Sequence, residues 1–414
     1  MRQMQSMMND KSLRRIVIVG SGHAGVELAA QLRQKGFDGA IALVGDEPDL
    51  PYQRPPLSKE FLKSADDAGL PLKGETFYAQ KNIDLKLGSR ADRIERDRKE
   101  VVLAGGERLP YDHLALATGA RNRVIPIPGL DTAPTLALRT LQDGRLLNGH
   151  LDGLRHVTVI GGGFIGLEVA ALLRARGVEI DLIEAMDRLM ARVLSAPASE
   201  WFRQFHAALG TNLHFGKQVL GIEGSRNDAR VSLSDGTVIA TDAILVAAGV
   251  VPNLELASDA GLDVANGIVV DANLLTSDPD ISALGDVAFY PNEFLGGMAR
   301  LESVQNAVDQ AKTIAGRLTG EPAPYHSVPW FWSHQGSAKL QIAGLSNGHD
   351  DAIVRGDLEG GKFSIFLYRG DRLIAVESLN QAGEHMAARR IIGAGKSVPK
   401  AVAADSAADL KAWM

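Results

Sequence analysis

The pattern of apolar and polar positions repeats one plan twice along this chain. An apolar run, His156 to Ile160, leads directly into GGGFIG, with glycines at 161, 163 and 166. Leu167, Ala170, Ala171, Leu172 and Leu173 then recur at helical spacing, and a second apolar run, Val178 to Ile183, ends in an acid, Glu184. The same order appears earlier. Ile16 to Val19 runs into GSGHAG, with glycines at 20, 22 and 25; Val26, Leu28, Ala29, Ala30 and Leu32 mark a helix; Ile41 to Val44 ends in Gly45-Asp46-Glu47. Each copy predicts the strand–turn–helix–strand unit that binds a dinucleotide. In each, the first glycine permits the tight turn, the second lets the backbone approach a pyrophosphate at the helix N-terminus, and the third brings helix and strand together. Two such units, about 140 residues apart, call for two dinucleotides. Glu184 stands 23 residues after Gly161, where a carboxylate accepts from both ribose hydroxyls and repels a 2′-phosphate, so the second unit is expected to take NADH rather than NADPH. In the first unit either Asp46 or Glu47 is placed to hold a ribose.

The stretches between the units repeat as well. Short alternating strands with Gly turns follow each unit and predict a meander, over residues 84–120 and again over residues 212–223 and 230–253. A buried strand closes each half: Leu114 to Ala117 before Thr118-Gly119, and a strand ending in Ala247 to Gly249. Thr118-Gly119 offers backbone that approaches a ligand closely. Arg139 follows, with a guanidinium suited to phosphate. PYQRPPLSKEFL, residues 51–62, reads as a Pro-stiffened turn with Leu57-Ser58-Lys59 opening a helix; alone it is a loop with two solvated bases, Arg54 and Lys59. Ile281 to Leu284 predicts a short strand before Gly285-Asp286. A helix is expected from near Leu301, with Glu302 and Val304 at its opening, where N–H groups lack helical partners. From Pro324 the composition shifts, and Trp330, Phe331 and Trp332 gather in a chain otherwise poor in aromatics. A separate α+β domain with an Ala-rich helical tail is expected there, with the tryptophans either in its core or at a ligand.

Composition narrows the function. The 414 residues suffice for two or three domains. The net charge of −6 argues against nucleic-acid binding. No apolar run approaches a membrane span of about 20 residues, and the first fifteen residues lack a signal-peptide core, so a flexible leader and a cytoplasmic protein are expected. There is no cysteine. That removes disulfides, thiolate metal sites and any protein-borne redox dithiol, and no metal site is expected.

GSGHAG, VGDE, RPPLSK, LATGA, LRTL, IGGGFIGLE, AAGVVPN, ALGDV, ESVQNA and PWFWSHQG, in this order, closely resemble the bacterial FAD-dependent NADH:ferredoxin reductases that serve haem monooxygenases and aromatic-ring dioxygenases, the putidaredoxin reductase type. The resemblance runs from Arg15 to about residue 400. It implies an α/β protein of two Rossmann-like dinucleotide-binding domains (FAD and NADH) plus a C-terminal α+β domain. The segments it implies are an FAD domain over 14–146 and 276–324, an NADH domain over 147–275 and the C-terminal domain over 325–414. It implies FAD contacts at Gly20, Gly22, Ala24 and Gly25, at Asp46 or Glu47, at Arg54, at Ala91 near the adenine, and at Thr118, Gly119 and Arg139 near the pyrophosphate. Gly285 and Asp286 should hold the ribityl chain, Glu302 and Val304 should face the pyrimidine edge, and Trp330 and Trp332 should lie near the flavin face. NADH contacts fall on Gly161, Gly163, Ile165, Gly166, Glu168, Glu184 and Gly249. Lys59, held and kept charged by Glu168, should stand beside the flavin as the catalytic pair. The implied partner is a [2Fe–2S] ferredoxin, whose cluster ligands come from the partner since this chain has no cysteine. A monomer or weak homodimer is implied, with no nucleic acid or membrane partner. Arg300, Lys339, Arg369 and Arg372 are expected to contribute to a basic docking patch. An alternative is an NADH-dependent reductase of a small molecule such as a quinone; another is a slow redox-sensing flavoprotein, which the absence of a targeting segment and long insertions disfavours.

Overall fold

Continuous apolar runs such as Ile16–Val19 and Val157–Ile160 suit strands buried on both faces, as parallel sheets require. A computed structural model, which describes residues 13–225 and 228–414, places them there. The expected leader falls mostly on residues 1–12, outside the described residues.

The chain divides into two compact units. The first comprises Met1–Gln53, Leu70–Ala120 and Pro252–Ser327. Its sheet has five parallel strands in the order Ile281–Ala283, His113–Leu116, Arg15–Val19, Ala40–Val44, Ile83–Lys86. The central strand leads into the glycine turn and helix His23–Gln34, which packs with helix Val304–Leu318. A three-stranded antiparallel meander follows, Ala91–Glu95, Glu100–Leu103 and Arg108–Pro110; Ile83–Lys86, expected to open it, instead joins the edge of the parallel sheet. The last helix begins at Val304 rather than near Leu301, because Ser303 is its N-cap and its Oγ accepts the Asn306 N–H at 3.1 Å.

The second unit comprises Arg54–Gly69, Arg121–Val251 and Val328–Met414. Its parallel sheet runs Thr211–Phe215, Glu179–Glu184, His156–Ile160, Ala243–Val246, Thr135–Leu136. Helix Phe164–Ala175 follows its glycine turn, and Val219–Glu223, Ala229–Leu233 and Val238–Thr241 form its meander. The C-terminal part is a five-stranded antiparallel sheet, Trp330–Gln335, Ala338–Gly344, Arg372–Leu379, Lys362–Arg369, Asp351–Asp357, covered by helix Ala382–Gly393. Arg355, buried on its edge strand, donates to the carbonyls of Val402, Asp405, Ser406 and Ala408 and pairs with Glu384 at 2.7 Å, so one guanidinium ties down the tail. The RPPLSK stretch is not one helix. Pro55–Ser58 forms a 3₁₀ turn, the backbone turns away at Lys59, and a short helix Glu60–Ser64 follows.

A second buried charge joins the two parts of this unit. Glu377 is 1% exposed and its carboxylate accepts from the Ser195 N–H at 2.8 Å and the Ser195 hydroxyl at 2.5 Å, at the N-cap of helix Ala196–Ala208. Burial outweighs both donors and pushes its pKa up to about 7. A carboxyl whose folded pKa is raised contributes stability that is full below its unfolded range and is lost as pH rises through the folded value. Stability should therefore decline between about pH 4.5 and pH 7 on this account. Glu377→Gln, which keeps partners for Ser195 without the charge, is expected to flatten that decline. Thermal midpoints at pH 5 and pH 8 should differ less in the variant than in the wild type.

Candidate functional site

The two glycine turns reproduce each other atom for atom in what they exclude. Gly20 and Gly161 both have φ of +113°, a conformation L side chains rarely adopt. A Cβ at Gly20 would stand 2.1 Å from the Ala117 carbonyl oxygen, and one at Gly161 would stand 2.4 Å from that of Ala247. The strands closing the two halves thus press on their glycine turns in the same way. Gly25 and Gly166 are closed too: a Cβ there would meet the Gly20 or Gly161 oxygen at 1.9 and 2.2 Å. Gly22 and Gly163 are open, with nothing within 4 Å of an added Cβ. Each is the N-cap of a 12-residue helix, and neither cap makes a side-chain hydrogen bond. A side-chain-free approach to a helix N-terminus is what a pyrophosphate needs, and both cradles fit one.

The acids at the strand ends differ. Glu184, half-buried, accepts from the Gly162 N–H through Oε2 and from the Met186 N–H through Oε1, both at 2.8 Å. It is thereby held against the second glycine turn with lone pairs to spare. Glu184→Ala is expected to weaken NADH binding about 10- to 100-fold, the worth of hydrogen bonds to a charged acceptor, and to relax discrimination against NADPH; binding titrations with both nucleotides check this. In the first unit Asp46 is exposed, whereas Glu47 is half-buried and accepts from the Tyr52 hydroxyl at 2.5 Å. Ala91 is half-buried on the first meander strand.

The remaining first-unit candidates Gly285, Asp286, Thr118 and Gly119 are each held by local hydrogen bonds. Gly285 (φ +77°) donates its N–H to Gln310 Oε1 at 2.7 Å, and a Cβ there would lie 3.0 Å from Ala24 Cβ. Asp286, half-buried in the following turn, has its carbonyl engaged by Arg300 at 3.1 Å. Thr118 and Gly119 are bracketed by Asn253: Asn253 Nδ2 donates to the Thr118 carbonyl at 2.8 Å, Thr118 Oγ1 to the Asn253 carbonyl at 3.0 Å, and the Asn253 N–H to the Gly119 carbonyl at 3.0 Å. Asn253 was missed, although it ends the AAGVVPN motif. Glu302 precedes the helix cap, is exposed and pairs with Arg300 at 2.6 Å, while Val304 is the first helical residue. Arg300, with a side chain only 10% exposed, is occupied by Glu302 and Asp286 and does not belong to a basic docking patch.

In the second unit, Lys59 Nζ lies 2.6 Å from Glu168 Oε2, with side chains 16% and 3% exposed. The ammonium also donates to the Pro55 carbonyl at 3.1 Å and Ser58 Oγ at 3.3 Å. Ser58 Oγ donates to Glu168 Oε2 as well, and Ser333 Oγ donates to Glu168 Oε1 at 2.7 Å. Ser58 and Ser333 sit inside the RPPLSK and PWFWSHQG motifs, but nothing in the sequence marked their contacts. Arg54 Nη1 donates to the Arg139 carbonyl at 2.7 Å, and the Arg139 N–H is held by Asp143 at 2.9 Å beside the capping box at Thr140. Trp330, Phe331 and Trp332 are half-buried and so only partly core. Trp330 lies 5.5 Å from Trp332 between ring centroids, with the Arg389 guanidinium 4.5 Å over Trp330, and Phe331 meets Phe164 at 4.5 Å. Ile165 is 41% exposed at the helix start, and Gly249 (φ +89°) accepts the Arg123 N–H at 3.0 Å.

Two mononucleotide-fold cradles and an antiparallel C-terminal module define a two-dinucleotide oxidoreductase. The family model for pyridine nucleotide-disulphide oxidoreductases matches residues 14–311, and that for the reductase C-terminal domain matches residues 330–414. Rhodocoxin reductase of Rhodococcus erythropolis is 48% identical over 398 residues, covering 96% of this chain and 93% of its own. The crystal structure of the ferredoxin reductase for the CYP199A2 system from Rhodopseudomonas palustris is similar with a TM-score of 0.94 at 45% identity, over 97% of this chain and 100% of that one. That of the covalent putidaredoxin reductase–putidaredoxin complex has a TM-score of 0.93 at 39% identity, over 97% and 98%. The chain belongs to the pyridine nucleotide-disulphide oxidoreductase family, among its FAD-dependent ferredoxin reductases. It is an oxidoreductase that works with FAD and a nicotinamide nucleotide. Among the described residues, no helix is long and apolar enough to cross a membrane.

Proposed function

We propose that this protein takes a hydride from NADH and delivers the electrons singly to a [2Fe–2S] ferredoxin feeding a monooxygenase or dioxygenase. One observation carries the reading: a member of a disulphide oxidoreductase family that has no cysteine. A thiol relay within the chain is closed to it, so the electrons must leave to an external acceptor. Several relatives are ferredoxin reductases by name, and one solved relative is the covalent putidaredoxin reductase–putidaredoxin complex, which supports a ferredoxin-type acceptor. FAD, when bound, converts between a two-electron hydride and single electrons.

The chain's own residues would bind and orient. In the first unit, Gly20, Gly22, Ala24 and Gly25 would hold the FAD phosphates, Glu47 in preference to Asp46 its ribose, and Ala91, Thr118, Gly119, Gly285, Asp286, Glu302 and Val304 its remaining edges. In the second, Gly161, Gly163, Ile165, Gly166, Glu184 and Gly249 would hold NADH. Arg54 and Arg139 would offer positive charge to a pyrophosphate, Trp330 and Trp332 an aromatic face, and Lys59 with Glu168 the fixed charge pair that serves hydride transfer. The four-segment division at 146, 275 and 324 belongs to this reading, as do a cytoplasmic location and a monomer or weak homodimer.

The test is cytochrome c reduction by FAD-loaded protein and NADH, with and without an added [2Fe–2S] ferredoxin. Reduction that depends on the ferredoxin and falls with ionic strength supports the proposal. Turnover of a quinone that outpaces the ferredoxin would favour a small-molecule reductase instead.

A further inference from the structure

Glu168 is 4% exposed, yet four donors reach its two oxygens. Lys59 Nζ, at 2.6 Å, and Ser58 Oγ use Oε2; Ser333 Oγ, at 2.7 Å, and the His334 N–H, at 3.4 Å, use Oε1. Behind Ser333 the polar groups continue inward. Gln335 Nε2 donates to Ser333 Oγ at 3.2 Å, and Gln335 Oε1 meets His206 Nε2 at 2.8 Å. Ser333, Gln335 and His206 are each 0% exposed. Burial lowers the His206 pKa, so its ring is neutral and carries a single N–H. Because Gln335 donates through its amide to Ser333, its oxygen must accept that N–H. Every bond from His206 to Gln335, to Ser333, to Glu168 therefore points its donor toward the same carboxylate. Aligned donors in a dry interior reinforce one another. A core that only needed filling would have no use for this direction.

Lys59 is saturated too. Its ammonium has three N–H donors, and Glu168, the Pro55 carbonyl and Ser58 Oγ lie at 2.6, 3.1 and 3.3 Å. It has no proton to lend without breaking one of these bonds, and it serves as a charge rather than as an acid.

We propose that Ser333, from the C-terminal module, is a positioning residue for hydride transfer: its hydroxyl, backed by Gln335 and His206, fixes Glu168 so that the carboxylate pins the Lys59 ammonium as an immobile point charge. The proposal rests on the reading of Lys59 as the charge that serves the flavin. Withdrawing the Ser333 donor leaves Glu168 less neutralised and Lys59 less fixed, which disfavours negative charge on the reduced flavin. The midpoint potential of bound FAD should then fall.

The experiment is a double-mutant cycle on the FAD-loaded protein with Ser333→Ala, Lys59→Met and the pair. Its readouts are the flavin midpoint potential by anaerobic dye equilibration and the limiting rate and Kd of reduction by NADH. Ser333→Ala is expected to lower the potential and cut the limiting rate about tenfold, the worth of one hydrogen bond to a charged group, with the NADH Kd unchanged. Added to Lys59→Met it should change nothing further, and Ser333→Thr, which keeps the hydroxyl, should restore the potential. Gln335→Met, which removes only the backing donor, should move the potential in the same direction and stands in if Ser333→Ala does not fold. Additive effects in the pair, or a loss of thermal stability with no change in potential, would overturn the proposal while leaving Lys59 its role. If Lys59→Met itself moves neither potential nor rate, the reading beneath fails as well.

Discussion

Lys59→Met should slow anaerobic reduction of the flavin by NADH by about 100-fold, the order seen when one preorganised electrostatic group is removed from a reacting centre. Methionine keeps an unbranched apolar stem of nearly the same length and removes the ammonium, with its charge and its three hydrogen bonds. The protein should stay yellow, because the Gly20–Gly25 turn is untouched. The substitution also leaves Glu168, 3% exposed at its side chain, without its counter-ion. Breaking a buried pair from one side costs about 3–5 kcal/mol, so a fall in thermal midpoint is expected along with the slower rate. Lys59→Met with Glu168→Gln removes the orphaned charge and should recover much of the stability but none of the rate. Stopped-flow reduction and thermal melts on the single and double variants separate the two effects. A single variant that reduces at the wild-type rate would remove Lys59 from the chemistry.

Gly25→Ala and Gly166→Ala should have opposite signatures although they make the same change at equivalent places. Each adds one methyl facing a backbone oxygen 1.9 or 2.2 Å away, and neither oxygen belongs to a side chain that can swing aside. The helix must shift, at a cost of about 1–3 kcal/mol, and with it the N–H groups meant for phosphate. Gly25→Ala should purify with FAD content reduced about tenfold or more. Gly166→Ala should purify yellow but require about tenfold more NADH to be reduced. The flavin-to-protein absorbance ratio and an NADH titration read these out. Colour lost from the second variant rather than the first would reverse the assignment of the two cradles.

What could be read from the chain depended on how local the cause was. Glycine spacing, apolar runs and terminal acids act within about thirty residues, and both units follow from them. The internal parallel between the two closing strands, at Ala117–Gly119 and Ala247–Gly249, proved to be steric, with Ala117 and Ala247 each pressing on the first glycine of its unit. The helix after Ile281–Ala283 was legible in existence but not in start, because one hydroxyl, that of Ser303, set the boundary. The surroundings of Glu168 were not legible. Ser58 lies 110 residues before it and Ser333 165 residues after, and a serine carries no sign of which distant carboxylate it will serve. Arg300 misled for the same reason: its charge is visible in the chain, but its burial against Glu302 and the Asp286 carbonyl is a product of packing.

The equivalence of Gly20 with Gly161, of Gly22 with Gly163 and of Gly25 with Gly166 bears on redesign. Because both turns offer a phosphate the same backbone, neither can tell one nucleotide from the other. Preference must be written in the flanks, where Glu184 braces one turn and Glu47 leans on Tyr52 beside the other. An engineer seeking a different nicotinamide coenzyme should therefore leave every loop glycine alone and rewrite only the rim.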